Sequence, residues 1–227
     1  SPSRWITKYL NTRYFEFPDR IVVKSREGWE NTRSDNDKNY LRQITGQKDY
    51  LSKHCVKQGT VKITNAHVHW WILREEDAMA YNSGLIESVG HAAALFKNEL
   101  YEMTTSRAGM SRLQDFGVTF GYRWVVIYLE PLDTREFKVL VNTSRTLLLA
   151  NNQSLPWADW AAEFRENMPQ ELAEFVDSKA ATAATSDHTR SIRDRLRDLL
   201  GLYKVSRYKA VAGGHVGAHR FVGVVQR

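Results

Sequence analysis

The sequence has a single cysteine, Cys55, in 227 residues. One thiol excludes an internal disulfide and any zinc site built on several cysteines. A reducing, intracellular setting, cytoplasmic or nuclear, is the expectation. No apolar run reaches the roughly eighteen residues a membrane-crossing helix needs, so no membrane partner is expected. A start methionine and a signal peptide are missing from Ser1-Pro2-Ser3-Arg4-Trp5, and the chain is expected to continue something longer upstream. Also missing are a Gly-x-x-x-x-Gly-Lys-Ser/Thr phosphate loop, a Gly-x-Gly-x-x-Gly after a strand, and a Gly-x-Ser-x-Gly elbow. No internal repeat is visible.

Hydrophobic residues make up 42% of the chain and aromatics 11%, enough to bury a core and to exclude global disorder. The length suits one large domain or two small ones. A net charge of +6 permits a polyanionic partner without demonstrating one.

Residues 1–58 read as an aromatic and helical N-terminal entry segment, with Trp5, Tyr9, Tyr14, Phe15, Phe17 and Trp29. Arg20-Ile21-Val22-Val23-Lys24 is β-branched and reads as a short strand. The polar stretch 31–39 reads as a loop ending at a helix cap, Asp35 or Asp37. Leu41, Ile44 and Leu51 are then a short apolar stripe interrupted by Gly46.

Residues 59–180 read as an α/β core. From Gly59 to Leu73 polar and apolar residues alternate, with a bulge or tight turn at Asn65-Ala66. Val68, Trp70 and Ile72 share one face, and His67, His69, Trp71 and Leu73 the other. Bulk on both faces makes this a central strand. Arg74-Glu75-Glu76-Asp77 is a solvated turn. Tyr81–Tyr101 fits a strand followed by a strand or short helix, and Met110–Phe116 a helical turn. Trp124–Leu129, closed by Pro131, reads as a buried strand. Phe137–Val141 and Thr146–Leu149 are shorter strands, with a turn at Asn151-Asn152.

Ser154 is the expected cap of an amphipathic helix carrying Trp157, Trp160, Ala161, Phe164 and Met168. Its stripe continues through Leu172, Phe175 and Val176, and Pro169 should kink or divide it. Ala180–Thr185 reads as a flexible linker. The segment 186–227 reads as a basic helix, Thr189–Leu200, stopped by Gly201, and a tail with a linker at 212–215. The expected fold class is therefore α/β (α+β), with a mixed sheet of four or more strands backed by helices. The sheet should contain Gly59–Leu73, Trp124–Leu129, Phe137–Val141 and Thr146–Leu149.

Several side chains are candidates for chemistry. His67 and His69, two apart on a strand, can share a metal if His54, Cys55 or His91 completes the ligand set. Packing beside Trp70 and Trp71 is the plainer account, and no metal is expected. Glu75, Glu76 and Asp77 can do acid–base work only if one is buried, and Cys55 reads as structural. Arg190, Arg193 and Arg197 share a helix face extended by Lys204 and Arg207, with Tyr203 and Tyr208 interleaved. That pattern suits nucleic-acid phosphates and bases, although Asp194 and Asp198 neutralise part of it.

A further pattern lies in the order of segments: Tyr81-Asn82-Ser83-Gly84-Leu85-Ile86, then Phe116-Gly117-Val118 to Leu129-Glu130-Pro131, then Asn142-Thr143-Ser144-Arg145-Thr146-Leu147, then a helix with Trp157 and Trp160. Over about residues 60–176 this resembles the transducer domain of microrchidia (MORC)-like GHKL ATPases. The resemblance implies a four-stranded sheet backed by helices, following an ATP-binding domain. It also implies a non-catalytic module that couples ATP binding upstream to conformational change or dimerisation. In that family a transducer lysine reaches the γ-phosphate, and the matching position here is Arg145, beside Asn142. Arginine departs from the pattern while keeping the charge. The family's Glu-Asn-Asp box and Asp-x-Gly-x-Gly motif are absent. This chain alone is thus not expected to hydrolyse ATP, and ATP and magnesium are implied only for the upstream domain. The implied partners are that domain and a second copy. A plain polar turn is the other reading of Asn142–Thr146, and a nucleic-acid-binding module using the C-terminal basic helix is the alternative function.

Overall fold

The computed structural model describes residues 5–26, 41–76 and 85–185. Ser1–Thr182 form one compact unit and Ala183–Arg227 a second. The first is α+β. Its centre is a five-stranded mixed sheet of β3 (Cys55–Ile63), β4 (Ala66–Leu73), β5 (His91–Phe96), β6 (Glu99–Thr104) and β7 (Val125–Pro131), in the order β3-β4-β7-β5-β6. Only the β5–β7 pair is parallel.

The apolar runs of β4, β5 and β7 have a simple cause. Side chains alternate across a strand, and both faces of these strands are covered. On one face lie Val68, Trp70, Ile72, Ala92, Ala94, Val125, Ile127 and Leu129. They pack on Leu113 and Phe116 around α3 (Ser106–Asp115), on Trp160 and Phe164 of α4 (Trp157–Glu166), and on Leu172 and Val176 of α5 (Gln170–Thr185). On the other face lie Trp71, Leu73, Ala93, Leu95, Val126 and Tyr128, against Tyr50 and Leu51 of α2 (Gln47–His54).

The region from Gly59 to Leu73 is a hairpin: of the bulge or tight turn expected at Asn65-Ala66, the tight turn is present, one residue earlier at Thr64-Asn65. Ile63 pairs with Ala66 across a tight turn in which Asn65 takes a φ of 59°. α4 is fastened to that turn: Trp160 Nε1 donates to the Thr64 carbonyl at 2.8 Å, and the Glu163 carboxylate accepts from Thr64 N at 2.9 Å. In the stretch before Tyr101, Leu85-Ile86 lies outside any strand, whereas residues 91–96 and 99–104 are the strands β5 and β6. Lys97 and Asn98, at φ 51° and 62°, form the two-residue turn between β5 and β6.

Some local expectations fail. Leu41–Ile44 is a strand, β2, paired with β1 (Val23–Arg26), which starts later than the Arg20–Lys24 expected. Gly46, at φ 79°, separates β2 from α2; a Cβ there would sit 2.5 Å from the Phe15 carbonyl oxygen. β8 (Val139–Val141) and β9 (Leu148–Ala150) form, but outside the main sheet, in a three-stranded antiparallel sheet with β10 (Gln153–Ser154). β5 and β6 take the places expected for them. Ser154 lies in β10 and does not cap α4, whose cap position is Pro156. The amphipathic helix does divide near Pro169, into α4 and α5. Residues 180–185, expected as a linker, are the end of α5, where alanine's high helix propensity carries the helix on. No described helix is long and apolar enough to cross a membrane.

Candidate functional site

Asn142 and Arg145 sit in the loop joining β8 to β9. Asn142 closes it: its backbone N donates to the Leu147 carbonyl at 3.0 Å, and its carbonyl accepts from Arg145 N at 2.9 Å. Its side-chain Oδ1 accepts from the backbone N of Thr146 and Leu147 at 2.8 and 3.0 Å. Nδ2 donates to Ser144 Oγ and Thr146 Oγ1 at 2.9 and 3.2 Å. Every polar atom of the Asn142 side chain is therefore spent on shaping the loop. Its role in this geometry is to position Arg145, which takes a left-handed φ of 55°.

Arg145 reaches the start of β6, where its Nη2 donates to Glu99 Oε1 at 2.7 Å. The other carboxylate oxygen of Glu99 accepts from Arg13 Nη2 at 2.7 Å and from Tyr101 OH at 2.8 Å. Arg13 in turn lies over the Tyr101 ring, 4.0 Å from its centre, and donates to the Leu100 carbonyl at 3.1 Å. Arg13 belongs to α1 (Trp5–Arg13), and the chain leaving α1 bridges to β6 through Tyr14 and Glu99. Three distant segments thus meet at one carboxylate. Burial pushes the Glu99 carboxyl up. The hydrogen bonds from Tyr101, Arg145 and Arg13 outweigh that and hold it below the usual carboxylate range. Burial, then the bond to Glu99, pushes the Tyr101 phenol up.

Around this cluster opens a cleft of about 720 Å³ lined by Tyr9, Arg13, Glu99, Glu102 and Arg145 among others. Glu102 is already committed, accepting from Leu148 N at 3.2 Å and Trp157 Nε1 at 2.9 Å. Glu99 is mostly covered, with 16% of its side chain exposed, whereas Arg145 exposes 66%. A guanidinium has five N–H donors in a planar fork. Arg145 can therefore keep its bond to Glu99 and present other donors to an incoming anion, or exchange one for the other.

The other candidates separate. His67 and His69 lie 6.3 Å apart, ring to ring. Both nitrogens of His69 are engaged, Nδ1 with Thr60 Oγ1 and Nε2 with Glu130 Oε2, each at 2.9 Å. The bond from His69 holds the Glu130 carboxyl below its ordinary range, against a smaller upward push from burial. His54 stacks on Tyr50, and Cys55 is a free thiol at the start of β3. Among the described residues no group of three histidine, cysteine or carboxylate side chains is arranged to hold a metal. Glu75 pairs with Lys179. Asp77, the helix expected over 189–200 and the basic residues Arg190, Arg193, Arg197, Lys204 and Arg207 lie outside the described residues.

Sequence reasoning missed Glu99, Arg13 and Tyr101. For Glu99 and Tyr101 the local signal is the Lys97-Asn98 turn before β6, and it does not extend to Arg13 on α1. It also gave His91 no role beyond a spare ligand. His91 is fully buried, with Nδ1 2.7 Å from the Val89 carbonyl and Nε2 2.8 Å from Tyr128 OH. A carbonyl only accepts, so Nδ1 carries the proton and Nε2 accepts from the phenol. Burial pushes the His91 imidazole down and the Tyr128 phenol up, so both stay neutral. No family model matches the chain, and no match is found among curated proteins or solved structures.

Proposed function

We propose that this chain is a non-catalytic, transducer-like module of a larger GHKL-type ATPase, in which Arg145 receives the terminal phosphate of ATP held by an upstream domain. One observation carries the reading. Arg145 is an exposed guanidinium on a loop whose shape is set by Asn142, and it is tethered to a covered carboxylate, Glu99. Such a tether holds the cation in place before an anion arrives, which reduces the ordering cost of binding. When a phosphate approaches, charge-assisted donation from Arg145 shifts from Glu99 toward it. Glu99 also holds Arg13 of α1, so the exchange is transmitted to the N-terminal helix. That gives a path from phosphate to movement or dimerisation. ATP and magnesium belong to the upstream domain in this reading, and this chain supplies no hydrolytic group.

The test uses the longer protein in which an ATP-binding domain precedes this chain. Arg145→Ala should lower ATP turnover about 100-fold or more, the usual scale for losing a group that stabilises transferred-phosphate charge. Arg145→Lys should recover part of it. Turnover equal to the parent protein in Arg145→Ala, or no nucleotide binding upstream, defeats the proposal.

A further inference from the structure

A second cleft, of about 600 Å³, lies between α3 and the short 3₁₀ turn Tyr122–Trp124 that leads into β7. Arg107 and Arg123 both line it, and among the described residues no carboxylate does. Neither guanidinium has a hydrogen-bond or ion-pair partner within the described part of the molecule. Four arginines elsewhere are occupied: Arg13 and Arg145 on Glu99, Arg165 on the Asp115 carbonyl, Arg112 over the Trp157 ring. Two uncompensated cations on one concave wall raise the local positive potential and favour an anion. Arginine's planar fork suits phosphate oxygens better than a point charge does.

Tyr122, Trp124, Met110 and Val89 add aromatic and apolar surface to the lining, beside Ser106 and Gly90. Flat rings beside a phosphate-binding group suit a base attached to that phosphate. The volume falls in the range of small-ligand sites. The cleft is also built by close backbone packing. Gly90 N donates to the Arg123 carbonyl at 2.7 Å, and a Cβ on Gly90 would sit 1.8 Å from the Tyr122 carbonyl oxygen. Only glycine lets the turn lie this close to the start of β5, and that contact fixes where Arg123 stands. On the other side Gly109 brings α3 onto β6, where a Cβ would sit 2.6 Å from the Thr104 carbonyl oxygen.

We infer that this cleft binds a nucleotide, its phosphate on Arg107 and Arg123 and its base against Tyr122 and Trp124. The ligand is either a free nucleotide or one residue of a single strand, which share this chemistry. The inference is independent of the role given to Arg145.

Calorimetric titration of the full chain at low salt tests it, with AMP, adenosine, orthophosphate and a short oligodeoxyadenylate as probes. AMP should bind more tightly than adenosine or orthophosphate. Arg107→Gln and Arg123→Gln, singly and together, should each weaken AMP by about tenfold or more, the scale of a charge-assisted hydrogen bond. Arg135→Gln removes the same charge from an exposed residue outside the cleft and should leave the affinity unchanged. Tyr122→Leu should weaken AMP and spare orthophosphate. Thermal melting checks that each variant is folded, and the single variants decide if the double one is not. A strand that binds more tightly than AMP and loses this advantage in the arginine variants makes single-stranded nucleic acid the source; equal affinities make it the free nucleotide. Absence of AMP binding at low salt, AMP no better than orthophosphate, or equal weakening by Arg135→Gln overturns the assignment.

Discussion

Lowering the pH from 7 to 5 should destabilise this protein through one buried imidazole. His91 is fully enclosed, and its two nitrogens are satisfied in the neutral form, one by the Val89 carbonyl and one by Tyr128 OH. Protonation of Nε2 would place a charge in the buried core and take from the Tyr128 hydroxyl the acceptor it donates to. The direction of the effect follows. The folded-state pKa lies below the ordinary value of 6.5, so the unfolded chain binds the extra proton first. Stability from this group is complete above about pH 6.5 and is lost as the pH falls toward the folded-state value. One proton contributes a slope of at most about 1.4 kcal/mol per pH unit, reached only below pH 6.5. The assay is urea unfolding followed by tryptophan fluorescence at several pH values. His91→Leu alone should cost about 1–3 kcal/mol at pH 7.5, since it strands the Tyr128 hydroxyl. His91→Leu combined with Tyr128→Phe should restore part of that loss and flatten the pH dependence between 6.5 and 5. The same slope in the parent and the double variant would refute the reasoning.

Two further outcomes concern the packing and the carboxylate cluster. Phe164 is fully buried, with its ring 5.7 Å from that of Phe116, so Phe164→Ala should cost about 3–5 kcal/mol in urea unfolding; a change of a few tenths would mean that α4 does not pack on the sheet. Glu99→Gln should cost about 1.5–3 kcal/mol, because Arg13 and Arg145 both lose a charged acceptor. The Glu99 pKa is held down, so its stabilisation is present above about pH 4.5 and fades as the pH falls below that. Unfolding curves for Glu99→Gln that parallel the parent's from pH 7 to pH 3 would exclude this role.

The fold class was legible in the residues, because periodicity is local. Of the apolar run Trp124–Leu129, Val125–Leu129 is a strand with both faces buried, and Trp124 ends the turn before it. The residues from Trp157 to Phe164 recur every three or four positions and are a helix on the core. Errors cluster where a local pattern has two solutions. Leu41 and Ile44 suit a helix stripe or a strand, and pairing with β1 decided for the strand. The alanines at 180–185 suit a linker or a helix, and continuity with α5 decided for the helix. The candidate site was half legible. The polar turn at Asn142–Thr146 announced a loop, and the lone arginine announced a charge. That Asn142 serves only the loop depends on where its Oδ1 and Nδ2 point, which composition does not show.

By itself the sequence determined what nearest neighbours along the chain can determine: which segments are amphipathic, which are buried on both faces, where turns fall, and that a disulfide cannot form. Tertiary structure alone decided which strands share a sheet. β8 and β9 form as expected yet stand apart, while β5 joins β7 in parallel across a connection that contains β6 and α3. It also decided that Glu99 meets Arg13 and Arg145, and that His91 meets Tyr128. These are contacts between residues far apart in the chain. They leave no periodic mark on either partner, and they form only once the burial of the sheet's two faces has overcome the entropy of closing the loops between them.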